Sequence, residues 1–222
     1  MLNPAAQIDH TLLRPDATES QVARLCEEAV EYGFASVCIP PRYVPLAVKN
    51  LYGSSVAVGT VVGFPCGYAS TRHKILEARE LAAQGAAELD MVIAIGEVLA
   101  GHLDSVAEEI AQVVLAAPEA CVKVILECCY LDPAVMSQLT QAVVAGGAAF
   151  VKTSTGFGPG GAREEDVRIL SQAAAGRIGV KAAGGIRDLP SCQAMLGAGA
   201  TRIGTSSGVA IVHQWQIAAA EV

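Results

Sequence analysis

Short apolar or alternating runs recur along the chain, each followed by a longer stretch of alanine, leucine and glutamate at helical spacing. The strand-like runs are QIDHTLL, ASVCIP, VAVGTVVGF, ELDMVIAI, CVKVILE, FVKTST, GVKAAG and RIGTSS. Strand-like runs that alternate with helices predict parallel βα units, and eight such units are enough to close a barrel. The helical stretches carry ordinary boundary signals. Thr18 and Gln21 form a capping-box pattern ahead of VARLCEEAVEYG, which Gly33 stops. Ser70 or Thr71 opens RHKILEARELAAQG, Asp132-Pro133 opens the stretch ending at Gly146-Gly147, and Asp188 opens PSCQAMLGAG. No linker or low-complexity tract interrupts the series. The expectation is an α/β protein, one domain over residues 1–222 folded as a single (β/α)8 TIM barrel, with an open doubly wound sheet as the alternative.

Three of the strand-like runs carry a lysine directly after a valine. Lys123 and Lys152 are 29 residues apart, as are Lys152 and Lys181, which predicts that successive units place a lysine at one depth. Alternation then turns Val122, Val151 and Val180 toward the helices and the lysines toward the barrel interior. A lysine in an apolar strand sheds hydration, and two in adjacent strands repel. Both effects lower an ammonium pKa and leave an amine able to attack a carbonyl. Two charges ~6 Å apart at an effective dielectric of ~20 repel by about 3 kcal/mol, roughly two pKa units. One of Lys152 and Lys181 therefore reads as a nucleophile and the other as the cation that activates it. The structural alternative has both snorkelling to the barrel mouth, or paired with Asp90 or Glu127.

Asp90 is the one acid inside ELDMVIAI after Glu88, placed for a proton relay or an ion pair with a lysine. Asp9 in QIDHTLL is a weaker candidate of the same type, at a substrate hydroxyl or in a turn. Lys123 and Glu127, four residues apart in one run, predict a buried structural ion pair. An anion cradle is spread over Gly156, Gly184, Gly185, Ser206 and Ser207 at the ends of the last three runs. Glycines there let backbone N–H groups approach a phosphate, and serines at a helix start complete the cradle. Cys38 reads as a buried thiol, His73 and Glu77 as a solvated helix face, and the GFPCG segment as a strand-ending turn.

Composition narrows the partners. The chain is 52% hydrophobic but only 5% aromatic, so its core is built from valine, alanine, leucine and isoleucine, as in buried parallel strands. A net charge of −7 without a basic run argues against nucleic acid or an anionic membrane, and any anionic ligand must be drawn by a local site. Seven cysteines form no CxxC pair, and the histidines stand apart at 10, 73, 102 and 213, so no metal site is expected. With neither a signal-like N-terminus nor a long apolar segment, a soluble cytoplasmic protein with reduced thiols is expected.

At this point the motifs resemble a known family. IDHTLLRPDAT, VCIPPRYV, VVGFPCG, ELDMVI, VKVILE, VKTSTGF, VKAAGGIR and RIGTSSG occur in the order and spacing of the deoxyribose-phosphate aldolases, class I aldolases that work through a Schiff base. The resemblance implies that Lys152 forms the Schiff base, Lys181 perturbs it and Asp90 is the acid of the proton relay. It also implies that Gly156, Gly184, Gly185, Ser206 and Ser207 hold phosphate, and that Asp9 lies near substrate hydroxyls. The implied reaction is reversible cleavage of 2-deoxy-D-ribose 5-phosphate to D-glyceraldehyde 3-phosphate and acetaldehyde. It needs no cofactor, and a homodimer or higher homo-oligomer is implied. Ala94, Cys128, Pro159 and Arg163 depart from the family's usual residues. They are expected beside the reacting groups, bearing on rate and substrate preference rather than on reaction class. The QIAAAEV tail has no tyrosine of the kind some members carry. Two other readings stay open: a sister Schiff-base barrel with another donor, such as a transaldolase-like or keto-acid aldolase, and a silent sugar-phosphate-binding barrel.

Overall fold

The computed structural model describes residues 2–220; Met1, Glu221 and Val222, at the ends of the domain expected over 1–222 and of the QIAAAEV tail, lie outside the described residues. In chain order the elements are β1 (Ile8–Thr11), α1 (Glu19–Tyr32), β2 (Ser36–Cys38), α2 (Val44–Asn50), β3 (Ala57–Val62) and α3 (Thr71–Ala83). Next come β4 (Glu88–Val92), a short α4 (Ile95–Leu99), α5 (Leu103–Ala116), β5 (Cys121–Ile125), α6 (Pro133–Ala145) and β6 (Phe150–Lys152). The chain then passes through α7 (Glu164–Ala174), β7 (Gly179–Ala183), α8 (Leu189–Gly197), β8 (Arg202–Thr205) and α9 (Gly208–Ala220). Every strand pairs in parallel with the next, and β8 returns to β1 to close the barrel. The closed (β/α)8 barrel expected from the sequence is the observed fold. Each strand lies within its expected run and is shorter than it, because the runs also include the turn residues at the strand ends.

The boundary signals work as read where side chains reach the backbone. Thr18 accepts the Gln21 N–H while the Gln21 side chain accepts the Thr18 N–H, a reciprocal capping box, and Gly33 ends α1 in the left-handed region at φ 69°. Asp188 and Ser191 form the same box at α8. Ser70 and Asp132 occupy cap positions without a side-chain capping bond. No helix among the described residues is long and apolar enough to cross a membrane.

The apolar core lies outside the barrel, between strands and helices. Val122, Val151 and Val180 pack there with Ile110, Leu139, Val143 and Leu170, as alternation required. The lysine depths differ from expectation. Lys152 is in register with Lys181, but Lys123 is in register with Phe150, two residues before Lys152. Strands of a closed barrel are staggered, so an equal sequence spacing does not mean an equal height. Lys123 sits nearer the N-terminal end.

A buried ion pair fixes the helix layer on the β4 side. Lys74 of α3 donates to the Val92 carbonyl at 2.8 Å and to Glu109 of α5 at 2.7 Å, and Thr71 donates to Glu109 at 3.0 Å. Both charged side chains are buried. Removing one partner strands the other, so Glu109→Ala should cost about 3–5 kcal/mol in urea unfolding. The double replacement Lys74→Met with Glu109→Leu should recover most of that loss. A single variant as stable as the parent would show that the pair holds nothing.

Candidate active site

The barrel interior is ionic. Asp90 of β4 accepts at one oxygen, Oδ2, from Lys152 Nζ of β6 at 2.6 Å and from Lys181 Nζ of β7 at 2.6 Å. Its other oxygen accepts from Lys123 Nζ of β5 at 3.2 Å. Since β4 and β7 are not neighbours in the sheet, these contacts cross the interior, where alternation had placed the lysines. Lys123 goes on to Glu88 at 2.5 Å and to Asp9 at 3.5 Å. Lys181 also pairs with Asp9 at 2.6 Å. Arg202, which opens β8, closes the lower end: its guanidinium donates to Asp9 at 2.6 Å and to Glu88 at 3.1 Å, and lies 5.3 Å from the Phe150 ring centroid.

Counting charges shows what distinguishes Lys152. Asp9, Glu88 and Asp90 face Lys123, Lys181 and Arg202, three acids against three cations. Lys152 is the surplus amine, and Asp90 is its one recorded ion-pair partner. Burial pushes its pKa below the ordinary lysine value; Asp90 pulls upward and the Lys181 cation adds to the lowering. For Lys181 burial acts downward too, but Asp9 and Asp90 outweigh it and hold the pKa above the ordinary value. Burial raises the carboxyl of Asp90, and three surrounding lysines more than reverse that, keeping it ionised. The expectation that repulsion by the neighbouring cation is the main cause is thus corrected. Only Lys152 is lowered, and desolvation rather than its neighbour is the largest cause.

Above this cluster a cavity of about 410 Å³ opens at the C-terminal ends of the strands. Lys152 lies at its wall together with Thr155, Gly156, Gly184, Gly185 and Ser206. Gly184 sits at φ 96°, and a side chain on Gly161 would come within 2.5 Å of the Gly184 carbonyl, so these two loops need glycine to meet. Lys181, Asp90 and Asp9 lie behind the cavity rather than on its wall. Asp9 is fully buried and committed to Lys181 and Arg202, which makes it a neighbour of the amine cluster rather than of the cavity. Ser207 is also off the wall. Its N–H donates to Thr205 Oγ1 at 2.9 Å and its carbonyl receives the Ile211 N–H at the start of α9.

Several expectations need correction. Lys123 does not pair with Glu127. Glu127 lies beyond the end of β5, with φ at 55°, and its carboxylate accepts from the Thr155 N–H and hydroxyl. Alternation stops at the strand end, so four-residue spacing lost its meaning there. Glu77 is not free on a solvated face, because it accepts the Gly63 N–H at 2.8 Å, whereas His73 is exposed. None of Ala94, Cys128, Pro159 and Arg163 lines the cavity; Cys128 is buried outside it and Arg163 pairs with Asp166 at 2.7 Å. Cys38 is buried as expected, its thiol pushed up to about 11 by burial.

Four residues of the site escaped the sequence reading. Glu88 shares the inward face with Asp90 by simple alternation, and Arg202 stands two residues before inward Gly204, so period-two counting would have found both. Arg14 and Arg187 line the cavity, and with Lys152 they are its only cations among the described residues. Arg187 stands two residues after the glycine pair; Arg14 carried no local signal.

An amine set beneath an open mouth at the C-terminal strand ends places this chain among the barrel enzymes. Residues 5–214 match the family model described as DeoC/LacD family aldolase, and the chain belongs to that family of lyases. It is 54% identical to the deoxyribose-phosphate aldolase of Syntrophotalea carbinolica over 97% of this chain and 98% of that one. Against the Deinococcus radiodurans enzyme of the same name the identity is 52%, over 94% of each chain. The tetrameric deoxyribose phosphate aldolase from Aeropyrum pernix superposes with a TM-score of 0.89 at 37% identity, covering 96% of this chain and 90% of that chain.

The opposed influences on Lys152 give a signed test. Asp90→Asn removes the group that favours the charged amine, so the pH midpoint for reductive methylation of Lys152 should fall. Lys181→Met removes a cation and leaves Asp90 more fully to Lys152, so that midpoint should rise. Mass mapping of Lys152 methylation between about pH 6 and 10 reads both. Shifts of the same sign in the two variants would refute the assignment of forces.

Proposed function

We propose that this enzyme reversibly cleaves 2-deoxy-D-ribose 5-phosphate to D-glyceraldehyde 3-phosphate and acetaldehyde through a Schiff base on Lys152. The observation that carries the reading is the surplus amine: Lys152 is buried, held toward its neutral form, and opens onto the cavity. The names of the relatives supply the substrate.

In the synthetic direction the Lys152 nitrogen attacks the acetaldehyde carbonyl carbon, and loss of water leaves an iminium. A proton then leaves the former methyl carbon. Asp90 is the base within reach, and its shared oxygen links Lys152 to Lys181, so the proton has a short path between the two amines. The resulting enamine carbon forms a bond to the aldehyde carbon of the phosphorylated acceptor, whose oxygen takes up a proton. Hydrolysis of the new iminium frees the amine. The iminium is the electron sink, so the reaction as written calls on no metal or cofactor.

Gly156, Gly184, Gly185 and Ser206 are assigned to the phosphate, with Arg14 and Arg187 supplying the positive charge that an acidic protein must concentrate locally. Ser207 contributes through the N-terminus of α9. Asp9 positions Lys181 rather than substrate. We place the enzyme in the cytoplasm, where its seven cysteines stay free thiols, and assign it a homo-oligomeric state by likeness to the Aeropyrum tetramer. Its partners are then the sugar phosphate and acetaldehyde, not nucleic acid or a membrane.

Borohydride reduction in the presence of acetaldehyde, followed by peptide mass mapping, should place an ethyl group on Lys152 alone. Lys152→Leu should fold and show neither adduct nor cleavage of deoxyribose phosphate. An adduct only with another carbonyl donor would move the assignment to a sister aldolase. Sugar phosphate binding with no adduct would leave a silent binding barrel.

A further inference from the structure

Glu127 is a buried carboxylate with no cation against it among the recorded contacts, in a backbone conformation that suits glycine. It follows β5 at φ 55° and is 2% exposed. Both features are unfavourable, and a structure keeps such features where they fix something else. The hydrogen bonds of the Glu127 carboxylate all come from Thr155: its backbone N–H is shared between the two oxygens at 3.2 and 3.3 Å, and its hydroxyl donates a short one. Because the Thr155 hydroxyl donates to Glu127, its lone pairs are free to accept the Phe157 N–H at 3.0 Å. The two residues flanking Gly156 are thus tied to one carboxylate.

The contacts continue outward from there. A side chain on Gly158 would meet the Glu127 carboxyl carbon at 3.1 Å, and one on Gly160 would meet Cys129 Cβ at 2.7 Å, so the loop lies flat on the segment after β5. At its far end the Ala162 N–H donates to the Gly184 carbonyl at 3.0 Å. The loop thus joins Gly156 to Gly184, two of the glycines on the cavity wall, and Glu127 anchors its near end.

We propose that Glu127 is a positioning residue that holds Thr155 and the Gly156 loop in the shape that receives the substrate phosphate. This rests on the function proposed above, but concerns only the anion-binding half of the site. Glu127 has no recorded contact with Lys152 or Asp90, so its removal should weaken phosphate binding and spare the chemistry of the amine.

The variant that isolates the carboxylate is Glu127→Gly, because glycine accepts the left-handed backbone; Glu127→Gln retains an acceptor oxygen for Thr155. Inorganic phosphate binding, read by calorimetry, should weaken about ten-fold in Glu127→Gly, the effect of one well-placed hydrogen bond, and largely return in Glu127→Gln. KM for 2-deoxyribose 5-phosphate should rise in parallel with little change in kcat. Activity on unphosphorylated 2-deoxyribose and borohydride trapping of acetaldehyde on Lys152 should match the parent. Equal loss on phosphorylated and unphosphorylated sugar, unaltered phosphate affinity, or failure of glutamine to rescue would each overturn the proposal. If the parent forms no acetaldehyde adduct, the aldolase reading falls while the phosphate calorimetry still decides the role of Glu127.

Discussion

One carboxylate oxygen, Asp90 Oδ2 of β4, takes hydrogen bonds across the barrel interior from lysines on two other strands, β6 and β7. That shared acceptor requires closure: β4, β6 and β7 bring their inward faces together only when the sheet closes on itself. Closure in turn puts charged side chains where most small barrels keep branched aliphatic ones. The desolvation this entails is large, and it is offset by the pairing of Lys123, Lys181 and Arg202 with Asp9, Glu88 and Asp90. The apolar driving force for folding sits elsewhere, in the layer between strands and helices, where Val151 and Val180 pack. The two faces of each strand therefore divide the labour, stability outside and electrostatics inside.

That division explains which parts were legible in the sequence. Period-two alternation is a property of a strand alone, so the inward lysines and outward valines could be read from FVKTST and GVKAAG directly. Register is a property of two strands and of barrel stagger, which no single run encodes. Equal spacing accordingly misplaced Lys123 by two residues. Glu127 failed for a related reason: strand periodicity was carried past Ile125, where the chain turns into a left-handed residue. The rise of the Lys181 pKa above its ordinary value was out of reach for the same cause, since Asp9 becomes its partner only after β1 closes on β8. The glycines on the cavity wall were legible because turn chemistry is local, whereas Arg14 reaches the same cavity from the far side of the closure.

Charge balance links this interior to the proposed chemistry. With Lys152 neutral, the cluster holds equal numbers of acids and cations. An iminium on Lys152 adds one positive charge to a water-poor space whose carboxylates are already engaged, so it is the unbalanced member of the cycle. Loss of a carbon proton to Asp90 and onward gives a neutral enamine and relieves the charge at the nitrogen. The same imbalance favours carbon–carbon cleavage in the reverse direction, since that step also turns iminium into enamine. On that chemistry a further carboxylate would hold the iminium more tightly, whereas loss of Asp90 would leave the proton without its acceptor. Three acids against three fixed cations leaves Lys152, the fourth amine, without a carboxylate of its own, which is the state the proposed chemistry calls on.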